Sequence, residues 1–200
     1  MPSSKNASSR YCSPAEIHRI IRESINDFSL FDFNLLHVNA SEMSIAHRLA
    51  IYIERRLPGW HVDCEYNRDL TIPKTRGSDK RKIRLDINVH CRGSAINLLA
   101  IEIKKTKHRK SVIEAERIRV RELSALWTSN LPHYCHSLLL VFPVKKRELA
   151  VQGDPEVSCH WFHRRGCGAS EGGEPFETAK AIKLKRDKKS RDKKCLKSGG

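Results

Sequence analysis

Asp86 lies in an alternating apolar run, Lys82 to His90, and sixteen residues later a second apolar run carries Glu102-Ile103-Lys104. In the first run Ile83, Leu85, Ile87 and Val89 fall on one face of an extended chain. Arg84, Asp86, Asn88 and His90 fall on the other, because strand side chains alternate with period two. In the second run, Ala95 to Lys105, Glu102 and Lys104 are two apart and point the same way. Cys91-Arg92-Gly93-Ser94 between the runs is a short turn with a glycine, so the sequence predicts an antiparallel hairpin. Pairing would bring two carboxylates and one ammonium to one end of a sheet. Such oxygen donors suit hard divalent cations, Mg2+ or Mn2+, whose shell is completed by water and substrate phosphate. Asp86, Glu102 and the backbone carbonyl of Ile103 would hold the ion. The ion acidifies water and offsets charge developing at phosphorus, and Lys104 positions the attacking water or steadies the same charge. The chemistry this suits is metal-assisted hydrolysis of a phosphodiester. A structural ion pair between Glu102 and Lys104 is the competing explanation. Against it, Ile96 to Ile103 is apolar on both faces, and a carboxylate in a strand covered on two sides needs a partner, a metal or a proton.

The order Asp86, then Glu102-Ile103-Lys104 within an apolar strand, resembles the PD-(D/E)XK nucleases, the restriction-endonuclease-like fold. Ser44-Ile45-Ala46-His47-Arg48-Leu49 and Trp60-His61-Val62-Asp63-Cys64-Glu65-Tyr66-Asn67-Arg68 are similar to small bacterial members of that superfamily. The resemblance covers roughly residues 40 to 145. Leu85 stands where the family has a proline, a residue that restricts backbone and contributes no chemistry. The resemblance implies an α/β fold with an αβββαβ core, a central mixed sheet flanked by helices. It also implies DNA in preference to RNA as substrate, a magnesium-dependent endonuclease activity, and a homodimer where both strands are cut. An acidic residue from an early helix often joins the site in this family, and Glu42 is the matching position. Because the family includes members that kept the fold and lost catalysis, the alternative is an inactive nucleic-acid-binding module.

The surrounding elements must position these residues. Ser41 is an N-cap candidate, and Glu42, Ile45, Ala46, Leu49 and Ile53 then form one helical stripe, with the glutamate on the buried face. An acid in the first turn also complements the helix dipole, which is the simpler reason for Glu42. Trp60 to Tyr66 reads as a strand with Asp63 facing solvent and Glu65 as a secondary site candidate. Ser13-Pro14-Ala15-Glu16 combines an N-cap, a first-turn proline and a capping-box acid, opening a helix to about Asn26. Ser111-Val112-Ile113-Glu114 is another capping box, predicting a helix to about Trp127. Leu138 to Phe142 reads as a short, fully buried strand ended by Pro143.

Charge points to an acidic polymer as partner. The chain has 38 Lys plus Arg against 23 Asp plus Glu, a net +15, a balance that bears on partners and solubility more than on fold. From Lys180 onward ten Lys or Arg face two Asp, so this tail carries +8 of the total. Basic residues also flank the motif, and Lys82, Arg84, Lys105, Lys107, Arg109 and Lys110 are the expected phosphate contacts. The expected organisation is a flexible N-terminus over 1–12, one nuclease-like domain over 13–165, and a disordered basic tail over 166–200. Seven scattered cysteines, without a signal peptide or a Cys-x-x-Cys pair, predict reduced thiols and a cytoplasmic protein. Cys159, His160, His163 and Cys167 fit no common zinc-finger spacing and read as chance clustering. No apolar segment approaches the ~20 residues that span a bilayer, so no membrane partner is expected.

Overall fold

Ser13 caps the first helix as its sequence demands, its Oγ accepting the Glu16 N–H at 3.2 Å. The computed structural model describes residues 12–65, 84–94, 96–124, 134–144, 155–165 and 173–184, with strand backbone at 68–69, 72–73, 75–76 and 81–82. Helix α1 (Pro14–Phe31) buries Ile17, Ile20, Ile21, Ile25 and Phe28. It runs beyond Asn26 because Phe28 continues the apolar stripe. After a single turn, α2 (Asn34–His37), Ser41 caps α3 (Glu42–Glu54), accepting the Ser44 N–H at 3.1 Å. Ile45, Ala46, Leu49 and Ile53 are buried as the stripe requires.

The strands are β1 (His61–Cys64), β2 (Arg68–Asp69), β3 (Ile72–Pro73), β4 (Thr75–Arg76), β5 (Arg81–Lys82), β6 (Ile87–His90), β7 (Asn97–Lys105), β8 (Tyr134–Phe142), β9 (Glu156–Arg165) and β10 (Gly173–Lys183). Helix α4 (Lys110–Leu123) lies between β7 and β8. Six strands form one mixed sheet in the order β1-β6-β7-β8-β9-β10; β2 pairs with β3, and β4 with β5. Only the β7–β8 pairing in the large sheet is parallel, and α4 supplies the crossover that a parallel pair needs. Helices flank both faces. On one, α1 and α3 meet Ile87, Val89, Leu99, Ile101, Ile103, Leu138 and Leu140. On the other, Val120 of α4 packs with Leu139, Val141 and Phe162, and Leu123 with Ala100 and Tyr134. Each fully buried Val, Leu, Ile or Phe among them contributes about 1.5–3 kcal/mol of transfer free energy.

The β6–β7 hairpin forms with Ile87 opposite Ile101 and Val89 opposite Leu99. Its turn is closed by Cys91 N–H to Ile96 O at 2.9 Å and Ser94 N–H to Cys91 O at 3.1 Å. Gly93 has φ +77, and a Cβ there would meet nothing within 4 Å. Gly93→Ala is therefore expected to lower stability by about 1 kcal/mol through backbone strain alone, a cost that urea unfolding would read. Full wild-type stability in that variant would refute the role of the positive φ.

Several sequence expectations are corrected. The alternation read from Lys82 breaks at a bend on Asp86, so the strand begins at Ile87. Leu85 consequently packs with Ala100 and Leu123 on the α4 face, opposite to Ile87. Helix α4 starts at Lys110 with Arg109 at the cap position and no side-chain cap bond, so the capping box at Ser111 does not form. It ends at Leu123, and Trp127 lies outside the described residues. The buried strand β8 starts at Tyr134, four residues before its expected start. Strand β9 was not foreseen. The segment expected to be disordered from 166 contains β10, which pairs along β9, and Leu184 is buried with its N–H on Pro155 O at 2.7 Å. Cys12, Cys64 and Cys159 are free thiols, but Cys135, expected as a thiol, is disulfide-bonded. Among the described residues no helix is long and apolar enough to cross a membrane.

Candidate active site

Asp86 immediately precedes Ile87 and Glu102 immediately follows Ile101, so both lie at the end of the β6–β7 hairpin marked by the Ile87–Ile101 pair. The bend at Asp86 lets its Oδ2 accept the Ile103 N–H at 2.7 Å, which fixes the carboxylate against β7. Burial first, then the charges of Asp86 and Glu116, hold the Glu102 carboxyl well above the usual range, with Lys104 acting the other way.

Lys104, two residues along the same face, is the centre of the cluster. Its Nζ lies 3.6 Å from Glu42 Oε2, 3.9 Å from Glu102 Oε2 and 3.9 Å from Glu116 Oε2. Its closest bond is to the Ile103 carbonyl, at 3.1 Å, so the oxygen expected to face a cation accepts the ammonium. Glu42 arrives from the first turn of α3, the position its helical stripe predicts, and is held by His108 Nε2 at 2.7 Å. The structure therefore brings together Glu42, Asp86, Glu102 and Lys104 from three separate segments. No family model, curated protein or solved structure matches the chain.

Other expected site residues are placed elsewhere. Glu65, at φ 53 just beyond β1, pairs with Arg84 at 3.3 Å. That contact also engages Arg84, which is otherwise exposed. Lys105 points to the opposite face of β7 from Lys104, is 3% exposed, and donates to Ala40 O at 2.6 Å. It ties the chain before α3 to the sheet and is not available to a phosphate. Lys107, Arg109 and Lys110 are exposed beside the cluster; the Lys82 side chain lies outside the described residues. Asp63, expected in solvent, is largely covered: it receives His90 Nε2 at 2.7 Å and pairs with Arg92. Cys64 lies near Asp86, and burial, reinforced by Asp86, Asp63 and Glu65, pushes its thiol up to about 11, which leaves it protonated and unreactive.

Two cluster members were missed. Glu116 is 3% exposed on α4, and its Oε1 has no hydrogen-bond partner. Ile113, Glu116, Val120 and Leu123 occupy one helical stripe facing the sheet, so a glutamate at an apolar spacing was the available signal. His108 gave none, since its contact to Glu42 crosses 66 residues.

Proposed function

We propose that this chain is a metal-dependent nuclease that hydrolyses DNA phosphodiester bonds. The observation that carries the reading is the convergence of Glu42 and Glu102 on Lys104 at one end of the sheet, with Asp86 held beside them on the Ile103 N–H. The succession α3, β1, β6, β7, α4, β8 supports it as well, being the αβββαβ order that the resemblance to PD-(D/E)XK nucleases implies.

The donor set suits a hard cation. Carboxylates outnumber the ammonium they surround, and burial, then the charges of Asp86 and Glu116, hold the Glu102 carboxyl well above the usual range. Among the described residues no three His, Cys, Asp or Glu side chains stand ready-spaced for a metal ion. Magnesium, however, often takes only one or two protein carboxylates beside water and phosphate. Asp86 and Glu102 would hold Mg2+ or Mn2+, which when bound supplies charge neutralisation and a more acidic water. Asp86 is oriented for this by the Ile103 N–H. Lys104 is poised to steady negative charge on the phosphate, and Glu42, locked by His108, keeps the ammonium in place.

Exposed Lys107, Arg109 and Lys110 would contact the phosphates that flank the scissile bond. Lys107→Ala and Arg109→Ala should each reduce the slope of log affinity for DNA against log salt by about 1. Lys105→Met, whose ammonium is buried on Ala40, should leave that slope unchanged. Equal slopes in all three variants would place the DNA elsewhere. The activity itself is tested by incubating the purified chain with linear double-stranded and single-stranded DNA in Mg2+, in Mn2+ and in chelator. Cleavage only with metal is the expected result. Salt-sensitive binding without cleavage would instead identify an inactive nucleic-acid-binding module.

A further inference from the structure

Burying a carboxylate costs free energy unless both oxygens are satisfied. Glu116 pairs through Oε2 with Arg119 and approaches Lys104 at 3.9 Å, yet its Oε1 is buried and unpartnered. The Arg119 pairing does not explain the burial, since Arg119 is 53% exposed and i,i+3 helix pairs form equally well in solvent. Nor does packing explain it. The stripe of Ile113, Val120 and Leu123 would accept an apolar residue at this position, and a leucine there would remove the repulsion that Glu116 exerts on Glu102. A second buried polar group is unpartnered on the same side of the sheet: Asn88, two residues along β6 from Asp86, has neither amide atom bonded. Both orphans border the Asp86–Glu102 pair.

We propose that Glu116 is a positioning residue of this site. Its unpartnered oxygen would orient the water shell of a divalent cation that Asp86 and Glu102 would hold, while its other oxygen steers Lys104. The inference rests on the metal-dependent reading above and adds α4 to the elements that build the site. It also explains why a carboxylate occupies an apolar stripe. Outer partners of metal ligands typically alter affinity 10- to 100-fold when removed.

The test is Mn2+ binding by the full chain, followed by calorimetry without DNA. Glu116→Gln should weaken Mn2+ binding roughly 10- to 100-fold. Glu156→Gln, an exposed substitution on β9, should bind as wild type does. In wild type, Mn2+ should broaden the carboxyl carbon resonance of Glu116 more than those of Glu114 and Glu122 on the same helix. That measurement needs no variant and decides the matter if Glu116→Gln does not fold. If Glu116→Gln lowers the unfolding temperature but binds Mn2+ normally, Glu116 merely anchors α4 and the proposal is overturned. The same holds if Asp86 and Glu102 broaden while Glu116 does not, an outcome that leaves the nuclease reading intact. If wild type binds no Mn2+ at all, the cation reading fails and this proposal with it.

Discussion

Glu102→Gln should reduce metal-dependent DNA cleavage by at least 10²–10³-fold, the scale on which a single preorganised electrostatic contact acts in a transition state. Lys104→Ala should lose a similar amount. Neither variant should change DNA affinity by more than a few fold, because non-specific binding is carried by phosphate contacts made elsewhere. The fold should tolerate Glu102→Gln well. Burial, and then the charges of Asp86 and Glu116, raise the Glu102 carboxyl well above the usual range, and glutamine is a neutral group of the same shape. A carboxyl whose folded pKa is raised contributes stability that is fully present below its unfolded value, 4.5, and lost as pH rises through the folded value. Glu102→Gln removes that loss. Its unfolding temperature should therefore match or exceed wild type, increasingly so toward alkaline pH. Cleavage by Glu102→Gln at the wild-type rate would remove the nuclease assignment, whereas a parallel loss of activity and stability would mean that Glu102 is structural.

The parts of this site that could be read from sequence are those governed by local periodicity. Glu102 and Lys104 follow from strand alternation beyond a glycine turn, Asp86 from its place at the far end of the same hairpin, although a bend there ends the alternation, and Glu42 from a serine cap and a helical stripe. Each depends on fewer than about twenty consecutive residues. Glu116 and His108 depend on where α4 lies against β7, which only tertiary packing sets. Lys105 was misplaced for a related reason. Its charge suggests a surface, but its register puts it opposite Lys104, and the free Ala40 carbonyl behind the sheet gives its ammonium a partner. The strands β9 and β10 went unread because their signals are masked by composition. In β9 the inward positions are Val157, Cys159, Trp161 and His163, so one end of an apolar face is histidine. An edge strand such as β10 needs few apolar residues, since much of its side-chain surface stays in water.

Those histidines carry the second large effect, a loss of stability in mild acid. His163 is fully buried and His136 is 2% exposed. His136 Nε2 lies 3.0 Å from the Cys12 carbonyl, so that nitrogen must carry the proton, and His136 Nδ1 then accepts from His163 Nδ1 at 2.9 Å. His163 Nε2 in turn accepts from His18 Nε2 at 2.9 Å, and His18 Nδ1 accepts from the Lys180 ammonium at 3.1 Å. Every link is satisfied only when all three rings are neutral. Adding a proton to His163 would set two N–H groups against each other. Burial first, then the neighbouring histidines and Lys180, hold His163 down to about 3; burial and then Lys180 hold His18 down to about 4. Unfolded, both return to 6.5. Between these values the unfolded chain binds more protons, so the stabilisation is fully present above pH 6.5 and is lost as pH falls toward 4. Allowing for partial solvent screening, the loss at pH 5 is on the order of 1 kcal/mol for His163 alone. Urea unfolding at pH 7, 6 and 5 would measure it. In His163→Gln an amide both donates and accepts without titrating, so the variant should lie below wild type at pH 7 yet show a flatter pH dependence. Identical slopes for the two proteins would show that this chain of rings does not couple α1, β8, β9 and β10 to pH.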